Sequence, residues 1–196
     1  TSIKMLLLIT FSLLSLFKSS PTENKFPTDD EPSLYELHDA NYSKKISASE
    51  NIFVFYYSPF CKYSISLASE YVKVAAYLKN FDFAKNIVLA KFNVNQDKET
   101  AEKMNVEGTP VFRYYKKGRL VEEYEGQRTS VGVYNFILQK IGMISTELLY
   151  DNFIESFKSF SEAALVFFGD EANLESYKSV VRNLQDEVVI GHVPRS

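Results

Sequence analysis

Cys61 is the only cysteine among 196 residues, and it lies in Ser58-Pro59-Phe60-Cys61-Lys62-Tyr63-Ser64. An apolar run, Ile52-Phe53-Val54-Phe55-Tyr56-Tyr57, leads into it. Apolar residues at helical spacing, Ile65, Ala68, Tyr71, Val72, Ala75 and Leu78, lead away. The pattern predicts a buried strand and an amphipathic helix with the thiol at their junction. A thiol there meets the unpaired N–H groups of the first helical turn and the positive end of the helix dipole, both of which favour thiolate over thiol. The thiolate is the nucleophilic form. Lys62 adds a positive charge, but an exposed ammonium is screened by salt and ranks below the dipole. The competing reading is a small buried hydrophobe without chemistry, the ordinary state of a lone cysteine. The flanking pattern favours the reactive thiol.

The elements that would position this sulfur follow from periodicity. A short edge strand near Leu34–Leu37, a helix from about Asp39 and the buried strand Ile52–Tyr57 come first. After the long helix come a strand at Ile87–Phe92, a short helix around Asp97–Met104 and a strand at Val111–Lys116. Lys117-Gly118 turns the chain into a strand at Arg119–Tyr124, and a last helix spans about Ser130–Ile141. Strands separated by helical patterns imply parallel β-α-β pairing, and the two-residue Lys-Gly turn implies an antiparallel hairpin. The expectation is an α/β fold with a mixed central sheet flanked by helices.

These motifs, in this order, resemble the protein disulfide isomerase family of the thioredoxin superfamily. Tyr56-Tyr57-Ser58-Pro59-Phe60-Cys61-Lys62-Tyr63-Ser64 is similar to the family's Phe-Tyr-Ala-Pro-Trp-Cys-x-x-Cys, and Ile65-Ser66-Leu67-Ala68-Ser69-Glu70-Tyr71 to the segment after it. Leu89–Asn95 looks like the third buried strand, Ala101–Pro110 like the helix and turn before a proline, and Tyr124–Thr129 like the Tyr-x-Gly-x-Arg segment. The likeness covers residues 34–143 and implies a thioredoxin-like domain of catalytic type.

The resemblance assigns roles and exposes departures. Cys61 is the attacking thiol, and Ser64 stands where the family has its resolving cysteine. Phe60 replaces tryptophan as an apolar shoulder, and Tyr63 replaces histidine between the cysteines, so the family's redox tuning does not carry over. Pro110 matches a cis-proline facing the sulfur, which would leave the Thr109 backbone free to pair with an extended client. Phe55 stands where a glutamate usually serves proton transfer to the second cysteine. Without that cysteine the relay has no task, and an apolar residue packs there without a desolvation cost. Arg128 matches an arginine that modulates thiol pKa, and a solvated surface arginine is an equal reading.

A serine hydroxyl cannot exchange into a sulfur–sulfur bond, so this site is monothiol and no cofactor is implied. A client thiol or glutathione would have to release whatever Cys61 captures. The resemblance therefore implies disulfide isomerase-like exchange on cysteine-containing clients of the secretory pathway. The alternative is a tethering, retention or chaperone protein with little turnover. A redox-silent client-binding domain is a third possibility.

Flanking segments set the context. Met5–Phe17 is a 13-residue apolar stretch preceded by Lys4, short for a membrane span and suited to a signal peptide over residues 1–20. Lys18-Ser19-Ser20-Pro21 makes a poor cleavage region, which leaves a signal anchor as the alternative. Either implies the secretory pathway, and residence in the endoplasmic reticulum lumen rests on the resemblance. Residues 21–33, with Pro21, Pro27, Pro32 and Asp29-Asp30-Glu31, read as an extended acidic linker. From Glu147 a second unit begins. Leu148, Phe153, Phe157 and Phe160 line one helical face, Ala163–Phe168 is a strand, Leu174, Tyr177, Val181 and Leu184 line another helix, and Val188–Val193 is a strand. Residues 147–196 are expected to form an incomplete second thioredoxin-like domain.

Composition weighs against other classes. Net charge is −3, or −5 once Lys4 and Lys18 are set aside with residues 1–20, and no basic stripe marks a nucleic-acid partner. His38 and His192 lack Cys or His partners at ligand spacing, so no metal site is expected. Asn41-Tyr42-Ser43 is a glycosylation sequon, and a helix-capping role for Asn41 is equally open.

Overall fold

A computed structural model describes residues 26–143 without a break, then 145–148, 160–169 and 187–194, with positions 157, 177, 180–181 and 183–184 between these last segments. β1 (Leu34–Leu37), α1 (Tyr42–Ala48), β2 (Asn51–Tyr57), α2 (Lys62–Leu78) and β3 (Ile87–Asn93) build the first half, a 3-10 turn at Asp82–Asn86 preceding β3. α3 (Lys98–Lys103), β4 (Val111–Lys116), β5 (Arg119–Glu123) and α4 (Ser130–Lys140) complete it. The sheet order is β1-β3-β2-β4-β5. β3 runs parallel to β1 and β2, whereas β4 is antiparallel to both β2 and β5. This is the expected thioredoxin-like α/β fold.

β2 is central, and its sequence says why. After Asn51, Ile52–Tyr57 is a run of β-branched and aromatic residues without polar alternation, as a strand covered on both faces requires. Phe53, Phe55 and Tyr57 face a core shared with Leu67, Tyr71 and Val74 of α2 and with Val133, Phe136 and Ile137 of α4. Ile52, Val54 and Tyr56 face a smaller core with Leu37, Tyr42, Ile46, Phe92 and Tyr115. There the hydroxyls of Tyr42, Tyr56 and Tyr115 lie 2.5, 2.7 and 3.0 Å apart, a closed ring in which each donates once and accepts once. A buried triad of phenols is thus satisfied internally.

α2 buries Leu67, Ala68, Tyr71, Val74, Ala75 and Leu78, the one-sided spacing of an amphipathic helix. Between β4 and β5, Lys117 and Gly118 have φ of 48° and 81°, the positive pair that a tight hairpin matched to strand twist demands.

A second sheet has the order β6-β8-β7, with β6 (Thr146–Glu147), β7 (Ala164–Phe168) and β8 (Val189–Val193) all parallel. That repeats the β1-β3-β2 order of the first sheet. Leu148, Phe157 and Val189 join the core that contains α4, and the Asn135 side-chain amide donates to the Val188 carbonyl at 2.9 Å. The short strand β6 carries no pattern that periodicity could detect, and Leu148 follows it rather than opening a helical face. Phe157 and Phe160 are helical, whereas Phe153 and Leu174 lie outside the described residues.

The signal or anchor segment 1–20 also lies outside them, as do residues 21–25. From Phe26 onward the acidic stretch departs from the expected extended linker. Phe26 is buried and stacks on Tyr57 with centroids 4.3 Å apart. Its N–H donates to Asp29, and Asp29 reaches the buried ammonium of Lys91 on β3 at 3.3 Å. Lys91 also donates to the Thr28 carbonyl at 3.3 Å and lies 3.7 Å from Glu36. A lysine in the middle of a buried strand needs such partners, and the acidic cluster supplies one. Phe26→Ala is expected to lower unfolding free energy by about 3 kcal/mol, a core-aromatic loss measured by urea denaturation. A change below about 0.5 kcal/mol, the size of a surface substitution, would show the segment to be peripheral.

Candidate functional site

Pro59 forces the chain to leave β2 extended, and the helix begins as soon as it can. Cys61 occupies the N-cap of α2 with φ −95° and ψ 117°, so its backbone is still extended while its carbonyl takes the first helical bond from Ile65 at 3.0 Å. The sulfur therefore sits over the first turn, half-buried and unpaired with any other cysteine. Its close polar contact is with the Thr109 carbonyl at 3.4 Å, to which the thiol donates.

The thiol pKa is lowered from its ordinary value, first by the Ser64 backbone N–H. Partial desolvation opposes this, while the Ser64 hydroxyl, the Tyr63 N–H and the Thr109 side chain add to the lowering. These N–H groups are the ones a helix start leaves without partners. No side-chain cap hydrogen bond is closed at this N-cap, and the S–H is directed at the Thr109 carbonyl. Ionisation removes that donation and leaves the sulfur to the helix N–H groups.

Ser64 is fully buried, and its hydroxyl accepts from the Ser58 N–H at 3.3 Å. Ser58 in turn accepts from the Phe60 N–H at 3.3 Å, so two serines brace the turn that carries the sulfur. Nothing in the type or spacing of Ser58 within the motif marks this bracing. Phe55 is fully buried with its ring 5.6 Å from that of Tyr57 and 5.7 Å from that of Tyr71. Phe60 and Tyr63 extend into solvent, and the Lys62 ammonium sits 5.0 Å from the Tyr63 ring centroid.

Across the site, the peptide bond between Thr109 and Pro110 is cis. The loop before it is pinned by Arg113 of β4, a buried cation that sequence reading passed over. Its guanidinium donates to the carbonyls of Met104 at 2.7 Å and Asn105 at 3.4 Å and pairs with Glu123 at 2.9 Å. Asn105 adopts φ 50°, a left-handed conformation that asparagine tolerates better than most residues. The detectable signal was an arginine inside an apolar strand.

The structure does not bring Arg128 to the sulfur by any bond. It is exposed and makes no hydrogen bond or ion pair with the described residues. Its segment has a packing role instead. The Tyr124 hydroxyl donates to the Gln127 carbonyl at 2.7 Å, lies where a Cβ on Gly132 would fall, and precedes the Thr129 cap of α4. Asn41 stands at the N-cap of α1 but does not cap it. Its carbonyl oxygen accepts from the His38 N–H at 2.9 Å and its amide donates to the Glu36 carbonyl at 3.1 Å, tying it back to β1. His38 pairs with Asp97 at 3.1 Å, and no cluster of three potential metal ligands occurs among the described residues.

The thioredoxin family model matches residues 33–139, from the strand before α1 to the end of α4. The chain belongs to the thioredoxin family. Its relatives include the protein disulfide-isomerase of Ricinus communis, 29% identical over 84% of this chain and 34% of that protein. The protein disulfide-isomerase of Hordeum vulgare is 35% identical over 57% of this chain and 22% of that protein. The chain thus spans about a third or less of the length of the curated relatives it matches. Among solved structures, human ERp44 aligns with TM-score 0.53 at 17% identity, over 82% of this chain and 44% of that one. The first two thioredoxin domains of Naumovozyma dairenensis Eps1p align with TM-score 0.51 at 18% identity, over 81% of this chain and 72% of that one. At these identities the structural likeness speaks to fold alone.

Iodoacetamide labelling against pH is expected to titrate Cys61 with a midpoint below the value of about 8.5 for a free cysteine. Urea should return it to the ordinary value. Ser64→Ala is expected to raise the midpoint without reaching that value, because the Ser64 N–H remains. An unshifted native midpoint would remove the case for an activated sulfur.

Proposed function

We propose that the chain performs thiol–disulfide exchange on cysteine-containing polypeptides in the endoplasmic reticulum lumen, through a mixed disulfide at Cys61 that an external thiol resolves. The observation that carries this reading is the pairing of an accessible sulfur at the start of α2 with a fully buried Ser64 in the resolving position.

The Cys61 thiolate attacks one sulfur of a client disulfide. The Cys61–client bond forms, the client's bond breaks, and the freed client thiolate takes a proton from water. A different thiolate of the same client, or glutathione, then attacks the mixed disulfide and returns Cys61 as thiolate. When the client supplies both thiolates the number of disulfides is unchanged, so isomerisation consumes no oxidant. Net reduction would consume two external thiols, which leave joined as a disulfide, and net oxidation would need an external disulfide such as oxidised glutathione that is reduced in turn. No bound cofactor enters. Relatedness to protein disulfide-isomerases supports the chemistry and the compartment, and the apolar residues 5–17 support secretory entry.

Phe55 is consistent with this cycle. A buried carboxylate under the site would shuttle a proton for a second thiol, and here the space is packed with aromatic rings instead. The external thiol arrives through solvent and brings its own proton exchange.

Refolding of a scrambled disulfide-bonded client in a glutathione buffer tests the reading. The native chain is expected to accelerate recovery of native pairing, and Cys61→Ala to fall to the rate of buffer alone. Ser64→Cys is expected to shorten the lifetime of the mixed disulfide, because the new thiol competes with the external one. Equal rates for native chain and Cys61→Ala would refute exchange. Accumulated adducts without recovered client would replace turnover by tethering.

A further inference from the structure

Two aromatic rings flank the sulfur and neither belongs to the core. Phe60 is 85% exposed and Tyr63 58%, while Cys61 between them is half-buried and Ser64 after them is fully buried. The core of this chain does not lack room for aromatic residues, since sixteen Phe or Tyr side chains among the described residues are buried in its two clusters. Rings left in water on both sides of a nucleophile are available to whatever that nucleophile binds.

The covalent bond selects the occupant. Once Cys61 is joined to a client cysteine through about 2.05 Å of S–S bond, the client residues around that cysteine are held near the exposed side chains next to Cys61 in sequence, Phe60 and Tyr63. The backbone adds an orientation. The Thr109 carbonyl accepts from the Cys61 thiol, and a disulfide-bonded Cys61 has no proton to give. The carbonyl then needs another donor, and a client backbone N–H can supply it. Beside it, a Cβ at Gly108 would meet nothing within 4 Å, so space for an approaching chain exists. A client N–H bonded there holds an extended segment across the sulfur. In an extended chain, side chains alternate between faces, so residues two positions before and after the client cysteine share its face, about 6.6 Å away on either side.

Resting on the exchange chemistry above, we propose that Phe60 and Tyr63 are specificity residues that select clients with apolar side chains two positions from the reacting cysteine, in the pattern apolar-x-Cys-x-apolar. The Lys62 ammonium over the Tyr63 ring holds one edge of this surface. Burial of about 55 Å² of apolar surface against the rings corresponds to roughly tenfold in rate constant when the contact is present in the transition state.

The test uses two peptides of identical composition, Phe-Ser-Cys-Ser-Phe and Ser-Phe-Cys-Phe-Ser, each as a mixed disulfide with thionitrobenzoate. Attack by Cys61 forms the Cys61–peptide bond and releases the coloured thiolate, whose absorbance gives the second-order rate constant. The first peptide is expected to react about tenfold faster with the native chain. In the double variant Phe60→Ser with Tyr63→Ser, checked for unchanged unfolding, the ratio of the two rates is expected to fall to about one. Equal rates on the native chain would overturn the proposal while leaving exchange chemistry intact. A preference that survives in the double variant would overturn it as well. Failure of both peptides and of glutathione–thionitrobenzoate disulfide to release colour would overturn the exchange reading itself.

Discussion

The contact between the Cys61 sulfur and the Thr109 carbonyl joins two segments separated by 48 residues, and the rest of the first domain exists to hold that distance. One side is set by β2, whose buried aromatic run fixes where the chain can turn, and by Pro59, which fixes how it leaves the strand. The other side is set by β4, paired antiparallel to β2 with Val111 opposite Tyr56. Register between two central strands therefore decides where the loop ending at Pro110 falls relative to the start of α2. A one-residue slip would carry every β4 side chain to the wrong core and move the carbonyl away from the sulfur together. Packing and chemistry are specified by the same strand pair.

Within that frame the electrostatics are local. The lowered thiol pKa traces first to one backbone N–H of the first helical turn, with a hydroxyl and a second N–H behind it. Lys62 is turned onto the Tyr63 ring instead of the sulfur. A backbone donor is held by the helix itself and loses no side-chain entropy when it stabilises an anion, whereas a lysine must be immobilised and is screened by salt. The thiolate is therefore favoured by fold geometry more than by a charged neighbour.

Much of this was legible in residue order. The strand–Pro–Cys–helix junction, the Lys-Gly hairpin and the turn before Pro110 each declare themselves through backbone constraints that act over a few positions. What escaped depends on partners distant in sequence. Lys91 is 62 residues from Asp29, and only the β1-β3-β2 order reveals that the acidic stretch closes over it. Arg113 looks like an interruption in a strand until its carbonyl partners on the loop before Thr109 are seen. Arg128 takes the second of its two readings, an exposed arginine. Its segment matches a motif, yet the motif's positions here are explained by Tyr124 packing against Gly132 and by the Thr129 cap, needs that hold whether or not an arginine ever meets a thiol.

The same logic separates the two halves of the active-site motif. Ser64 and Phe55 are both fully buried, so each must satisfy packing and polar pairing before it can serve chemistry. Ser64 does so by accepting from Ser58, and Phe55 by joining a row of rings. Phe60 and Tyr63 are under no such demand. Their identity is not dictated by the fold, and an aromatic residue kept in water at a reactive centre is costly to leave uncovered, at roughly 25 cal/mol for each square ångström. The buried positions thus explain why the sulfur acts alone, and the exposed ones are where its choice of partner would be written.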